Sequence, residues 1–112
     1  MPERALDGVK VLDLTHHISG PYCTKLLADF GAEVLKIERP DGDPTRRMAP
    51  FYHHDVEPEK SLVFAYLNPN KKSVPLNLTS ETGNQVLKSL TDAPDDLVEN
   101  FSPRVMSTLA LD

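Results

Sequence analysis

Several features are scarce in this 112-residue sequence, and each scarcity excludes a class of protein. Cys23 is the only cysteine, so a disulfide framework within the chain is excluded, and we expect a reducing compartment, the cytoplasm. No stretch approaches the roughly 20 apolar residues of a membrane-spanning helix, and the polar start MPERALDG does not resemble a signal peptide. The net charge of −5 argues against nucleic acid as a partner, and we expect no membrane partner either.

The composition is that of an ordinary globular protein. Hydrophobic residues make up 39% of the chain and charged residues 26%, which is far from the composition of disordered or fibrous proteins. A chain of this length can bury one hydrophobic core, but two are not expected. We therefore treat residues 1–112 as a single domain-sized region.

Residues 11–40, VLDLTHHISGPYCTKLLADFGAEVLKIERP, predict a β-strand, a polar loop, an α-helix and a second β-strand. The first strand is a short apolar run with little alternation, as expected for a parallel strand buried on both faces. Ser19 is the predicted helix cap, Pro21 suits the first helical position, and Gly31 ends the helix. The residues predicted to form its buried face are Cys23, Leu26, Leu27 and Phe30.

The remaining sequence continues the alternation of strands and helices. Residues 40–60 hold four prolines among charged residues and predict a long loop without regular structure. A strand is predicted at 73–78, with Pro75 at an edge or a bulge, and then a helix from Thr79 or Ser80. The predicted buried positions of this helix are Val86, Leu87 and Leu90. A strand at 96–99 and a helix opened by Pro103 follow. This order predicts a Rossmann-like three-layer α/β domain with a mostly parallel sheet.

Ligands of open parallel sheets bind at the carboxyl ends of the strands. Those ends are residues 15–20, 38–40, 78–79 and 100–101. The helix after Pro21 directs its amino end toward the same edge, which favours an anionic ligand. Local basic pairs that suit an anion are Lys36 with Arg39, Arg46 with Arg47, and Lys71 with Lys72. No glycine-rich dinucleotide or Walker motif is present to narrow the ligand further.

Three stretches carry a family resemblance: LDGVKVLDLTHHISGPYCTKLLADFGAEVLKIERPDGDPTRR, NPNKKSVPLNL and LVENFSPRV. In order and spacing they resemble the N-terminal part of the family III CoA-transferases, which include formyl-CoA and carnitine-type CoA-transferases. The related α-methylacyl-CoA racemases share much of this pattern. The resemblance implies the Rossmann-like N-terminal region of a longer chain that forms an interlocked homodimer, with coenzyme A (CoA) as its ligand.

The resemblance also implies which residues bind CoA. Arg39 in IERP resembles the arginine that contacts the nucleotide end, and Asn100 with Phe101 resembles the pair that lines the site. Candidate contacts from the loop and the NKKS block are His17, Ile18, Ser19, Lys71 and Lys72. Two positions depart from the pattern of some transferases, because Thr79 replaces a lysine and Thr108 replaces an arginine.

Family III transferases use a catalytic aspartate that forms an acyl anhydride with the substrate and then a thioester with CoA. None of Asp13, Asp29 and Asp41 matches that aspartate, which in the family lies beyond residue 112. We therefore expect the chain to be a fragment without activity of its own. In the full-length enzyme the substrates implied are an acyl-CoA donor and a carboxylic acid acceptor.

Two other functions are compatible with these residues. An acyl-CoA racemase is one, although the long connection between ERP and NKKS favours a transferase; a non-catalytic CoA- or nucleotide-binding module is the other. A metal site at His16-His17 and His53-His54 with Asp55 is disfavoured, because the spacing fits no standard zinc pattern. For Cys23 we expect packing rather than reactivity.

Overall fold

The computed structural model describes residues 4–54, 61–92 and 94–108. Its sheet contains four strands, β1 (Lys10–Asp13), β2 (Glu33–Glu38), β3 (Lys71–Pro75) and β4 (Asp96–Val98). The strand order is β3-β2-β1-β4, and every neighbouring pair is parallel. The helices are α1 (Ser19–Asp29), α2 (Leu62–Leu67), α3 (Glu81–Leu90) and α4 (Pro103–Thr108). The predicted α/β fold with a parallel sheet is confirmed.

Hydrophobic side chains pack on both faces of this sheet. Val11 of β1 and Val34 of β2 form one cluster with Ala28 of α1. The next residue of β1, Leu12, joins a second cluster that contains Leu87 of α3. Because successive residues of a strand point to opposite faces, α1 and α3 cover opposite sides of the sheet and the domain has three layers. In the described part of the chain, no helix has the length and apolar character needed to cross a membrane.

The predicted buried face of α1 is confirmed at Leu27, which packs against the cluster of Val11 and Ala28, and is wrong at its other three residues. Cys23 is exposed, and Leu26 and Phe30 are 39% and 58% exposed. The helix instead buries Pro21, Thr24 and Ala28. The reason is a polar contact that periodicity does not show, since the Thr24 hydroxyl donates a 2.7 Å hydrogen bond to the buried Asp13 carboxylate. Ser19 is the first helical residue rather than the cap, which is Ile18.

The later elements match the predictions in part. Pro75 ends β3, an edge strand, as expected, but β3 begins at Lys71 rather than Ser73. Ser80 caps α3 by accepting a 3.0 Å hydrogen bond from the Gly83 amide. Val86 is 42% exposed, so its predicted burial is wrong. The connection after β2 is also more regular than predicted, with 3-10 turns at Pro44–Arg47 and Tyr52–His54, although residues 55–60 lie outside the described part.

A buried polar network lies on the α1 side of the sheet. Lys36 Nζ is 2.9 Å from Asp43 Oδ2, with both side chains almost fully buried, and it donates to the Thr15 carbonyl oxygen at 3.0 Å. Asp13 is paired with Lys71 Nζ at 3.1 Å. These pairs join β1, β2 and β3 to the segment that follows β2. Their charges are tolerated in the interior because each has an opposite charge and further hydrogen bonds.

Glu38, the last residue of β2, extends this network. Its carboxylate accepts from Arg46 Nε at 2.7 Å and Nη2 at 2.9 Å, from the Ser73 hydroxyl, and from the Asp43 amide at 2.9 Å. Burial alone would raise the pKa of Glu38, but the hydrogen bonds from Arg46, Ser73 and the Asp43 amide lower it to about 2. The Arg46 guanidinium also lies 3.8 Å from the centre of the Phe64 ring. Glu38 thus fixes the path of the chain after β2.

We expect Glu38→Gln to lower the free energy of unfolding at pH 7 by about 2–3 kcal/mol, because it removes a carboxylate with a depressed pKa. The stability from this carboxylate is fully present above its ordinary pKa of 4.5 and is lost as the pH falls toward about 2. Urea unfolding across this range should show a shallower acid dependence in the variant. Glu33→Gln is the control, since Glu33 is 61% exposed at the other end of β2. Equal acid dependence of Glu38→Gln and the unchanged protein would contradict this assignment.

Candidate functional site

A cavity of about 310 Å³ opens at the carboxyl ends of the strands. Each of the four predicted strand ends contributes to its lining, through His16, Arg39, Thr79 and Phe101. The volume is at the lower end of the range for small-molecule sites, roughly 300–1,000 Å³. The structure therefore brings the four strand ends predicted to bind a ligand together in one concave site. This site is large enough for part of a nucleotide ligand.

The lining of this cavity is apolar on one side and polar at the rim. The apolar side chains come from β2, the segment after β3, the segment after β4 and α4, and they are Ile37, Leu76, Leu78, Phe101 and Val105. The rim carries the charged side chains of Arg39 and Asp41. An apolar pocket with a few convergent polar groups suits a ligand that joins a flat ring to an anionic group.

Asn100 fixes the loop that borders the cavity. Its Nδ2 donates to the His16 carbonyl oxygen at 2.8 Å, and its Oδ1 accepts from the His16 amide at 3.1 Å. The His16 ring lies against Phe101, with 5.3 Å between ring centres. Burial lowers the pKa of His16 and the nearby Asp43 carboxylate partly offsets this, so the imidazole is neutral at pH 7. Asn100, predicted as a lining residue, acts on the site through His16.

Arg39 follows β2 directly and lies at the cavity rim. Its side chain is 49% exposed, and its Nε is 3.7 Å from Asp41 Oδ1. This separation is longer than a hydrogen bond, so the guanidinium keeps donors available for a ligand. Of the predicted CoA contacts, Arg39 and Phe101 are the two that line the cavity.

The loop residues His17, Ile18 and Ser19 are exposed, but they do not line this cavity. His17 has a positive φ of 68°, and Ile18 is directed to a separate groove of about 340 Å³ that includes Leu62 and Tyr66. Their contact with CoA remains a prediction. The backbone of residues 17–19 lies at the carboxyl edge of the sheet, but their three side chains do not line the cavity.

Lys71 and Lys72 lie at the amino end of β3, away from the cavity. The Lys71 side chain is 1% exposed, and its Nζ contacts Asp13, the Pro21 carbonyl oxygen and Asn68. Burial lowers the pKa of Lys71, and Asp13 partly offsets that effect. Lys72 is 80% exposed with Glu33 at 4.0 Å. Neither lysine lines the cavity, and their contact with CoA remains a prediction.

Some lining residues are not indicated by the sequence patterns. Ile37, Leu76 and Val105 line the cavity and lie in or next to an element with a predicted strand end, but no motif marks them. The position of β3 was predicted too late in the chain, which hid Leu76 and Asn77 as residues that follow a strand. Within the described ranges, no group of three or more His, Cys, Asp or Glu side chains is placed to hold a metal ion. The side chain of Thr108 lies outside the described part.

Comparison with known proteins decides the family. The model of "CoA-transferase family III" matches residues 6–112. The chain belongs to this family. A curated formyl-CoA:oxalate CoA-transferase from Rhodopseudomonas palustris strain TIE-1 is 49% identical over 107 residues, which is 95% of this chain and 24% of the relative. One from Streptomyces coelicolor is 47% identical over 103 residues, 92% of this chain and 24% of the relative.

Solved structures similar to this chain agree with the fold. A CAIB/BAIF family protein from Brucella suis has a TM-score of 0.89 at 34% identity, covering 99% of this chain and 29% of that one. A hypothetical protein from Mycobacterium tuberculosis has a TM-score of 0.87 at 37% identity, covering 100% of this chain and 30% of that one. The chain thus spans about a quarter of the length of the curated relatives, 24%.

We expect Asn100→Ala to loosen the loop after β1 that contains His16, because both hydrogen bonds between the Asn100 side chain and the His16 backbone are lost. The free energy of unfolding should fall by about 1 kcal/mol, and the His16 amide should exchange with solvent faster. Asn100→Asp is the matched variant, since Oδ1 still accepts from the His16 amide while the second oxygen cannot donate to the carbonyl. Hydrogen exchange measures both the free energy of unfolding and the exchange rate of the His16 amide. Unchanged exchange at His16 in Asn100→Ala would show that Asn100 does not hold the loop.

Proposed function

We propose that this chain is the N-terminal CoA-binding region of a family III CoA-transferase that moves CoA from an acyl-CoA donor to a carboxylic acid acceptor. One observation carries the proposal: an apolar cavity at the carboxyl edge of the sheet has the available guanidinium of Arg39 at its rim. The relatives named as formyl-CoA:oxalate CoA-transferases support the same reaction class.

The residues of the cavity have separate tasks in this proposal. Arg39 donates hydrogen bonds to a phosphate of CoA, where a guanidinium is well matched in charge and geometry. Phe101 and the apolar wall pack against the adenine ring. Asn100 keeps the His16 loop in place beside them. Among the exposed loop residues, His17, Ile18 and Ser19 remain proposed CoA contacts.

The nucleophile of the reaction is proposed to come from outside the described residues. In family III transferases an aspartate carboxylate attacks the acyl carbonyl, which splits the transfer into two easier steps. Asp13 is buried on Lys71 and Thr24, and Asp29 is held by Lys25 at 2.8 Å. Both carboxylates are committed to these partners and lie away from the cavity. We therefore expect this chain to bind CoA without transferring it.

We also propose that a second copy of the protein covers part of its surface, as the family resemblance implies for the full-length homodimer. Support comes from an exposed apolar stripe along α1, spaced every four residues, which consists of Ile18, Tyr22, Leu26 and Phe30. A contiguous apolar surface of this kind is typical of a protein interface. One experiment can test two things: whether a second copy covers the stripe, and whether CoA binds at the cavity.

We expect Arg39→Ala to weaken CoA binding by about 1–3 kcal/mol, because a charge-assisted contact with a phosphate is lost. Sedimentation equilibrium at the absorbance of adenine measures bound CoA and the native mass together. Lys10→Ala is the matched control, because it removes an exposed positive charge at the amino end of β1, at the opposite end of the sheet. Equal CoA affinity in Arg39→Ala and the unchanged protein would refute the site. A mass of one chain at all concentrations would refute the dimer.

A further inference from the structure

The turn that follows β2 holds two charged side chains side by side. The Gly42 amide donates a 2.8 Å hydrogen bond to the Arg39 carbonyl oxygen, which closes a four-residue turn. Pro40 suits the second position of such a turn, and Gly42 has a φ of 87°, which glycine adopts without strain. The turn places the Asp41 carboxylate next to the Arg39 guanidinium.

This turn is anchored at both ends by buried groups. Before it, Glu38 is held by Arg46 and Ser73. After it, Asp43 is held by Lys36 and caps the following 3-10 turn through the Thr45 amide at 2.9 Å. The backbone carrying Arg39 and Asp41 is therefore fixed, while their side chains are about half exposed or more. Fixed backbone with accessible charged ends is the arrangement expected of a preorganised binding site.

Asp41 contacts a second arginine as well as the first. Its Oδ1 is 3.7 Å from Arg39 Nε, and its Oδ2 is 3.5 Å from Arg47 Nη1. Arg47 Nη1 also donates to the Asp41 carbonyl oxygen at 3.4 Å. One carboxylate thus lies between two guanidinium groups that are spaced to contact the same small anion. The contacts are long and exposed, so they are weak and can be replaced.

There is room for such an anion beside the turn. A depression of about 410 Å³ lies against Arg39 and Asp41 and is bordered by Gly42, Arg46 and Ser73. Arg47 lies outside this lining and meets it through its contacts with Asp41. Arg39 and Asp41 also line the apolar cavity, so they form a ridge between the two spaces. A phosphate on this ridge would lie directly at the edge of the apolar cavity.

We propose that Arg39 and Arg47 form a subsite for one phosphate group, and that the Asp41 carboxylate competes with this phosphate for both guanidinium groups. The inference deepens the proposed function, because it rests on CoA being the ligand of this edge. Binding of a phosphate monoester or diphosphate requires Asp41 to give up both arginines. Asp41 thereby sets the affinity of the subsite, and Arg47 is a specificity-determining residue that the family resemblance does not assign to CoA.

The test removes the competing charge. Asp41→Asn should tighten CoA binding about three- to tenfold at low ionic strength, and the gain should shrink as salt screens the charges. Titration calorimetry of the purified protein with CoA measures the affinity. Glu33→Gln is the charge-matched control, because it removes one exposed carboxylate at the other end of β2 and should leave the affinity unchanged.

A second variant separates direct contact from a general effect of charge. If Arg47 binds the phosphate once Asp41 is removed, the gain in Asp41→Asn should be lost in Asp41→Asn/Arg47→Ala. An equal gain with and without Arg47 overturns the two-arginine subsite, and no gain in Asp41→Asn overturns the competition. Titration with 3′-dephospho-CoA identifies the phosphate, since a gain confined to CoA marks the 3′-phosphate and a gain with both ligands marks the diphosphate.

Failure of this inference can be told from failure of the proposed function. Arg39→Ala measured in the same series reports whether CoA uses this edge at all. A loss of affinity in Arg39→Ala without a gain in Asp41→Asn overturns the inference alone. Unchanged affinity in both variants overturns the CoA site itself.

Discussion

The buried ion pair between Lys36 and Asp43 is the constraint on which this structure depends. Lys36 lies in the middle of the sheet, where an unpaired ammonium would be very costly, and Asp43 comes from the segment after β2. The pair therefore requires the chain to fold back over the sheet as soon as β2 ends. Hydrogen bonding to Thr45 and Lys36 outweighs burial and lowers the pKa of Asp43, so the carboxylate stays charged in this pair.

The two faces of the sheet consequently have different roles. The face under α1 holds the polar network that fixes the segment after β2, whereas the face under α3 is apolar and continues into the cavity. Arg39 lies where these two regions meet, one residue after the anchored Glu38. The network holds the backbone of Arg39 in place through Glu38. The Arg39 guanidinium takes no part in these hydrogen bonds, so it is available to a ligand. Stability and ligand binding are thus assigned to neighbouring residues, Glu38 at the end of β2 and Arg39 directly after it.

The sequence was sufficient to predict the parallel sheet, its carboxyl edge and a helix that starts at Thr79 or Ser80, because these follow from short apolar runs and local turn residues. It was insufficient for the orientation of α1, since Thr24 is buried by a bond to Asp13, a partner that no local pattern indicates. Lys71 shows the same limit: a lysine in a polar block is expected in solvent, yet its ion-pair partner is 58 residues away in the chain. Contact with the buried Asp13 carboxylate decided both outcomes.

The central claim is that CoA binds at the cavity beside Arg39 and Phe101. The most direct measurement is a titration of the ¹⁵N-labelled protein with CoA, followed by amide chemical shifts. We expect the largest shifts to cluster at the strand ends that line the cavity, including Arg39, Thr79 and Phe101, while Lys10 at the amino end of β1 is unaffected. Shifts centred on Lys10, or on the groove beside Ile18 and Tyr66, would contradict it.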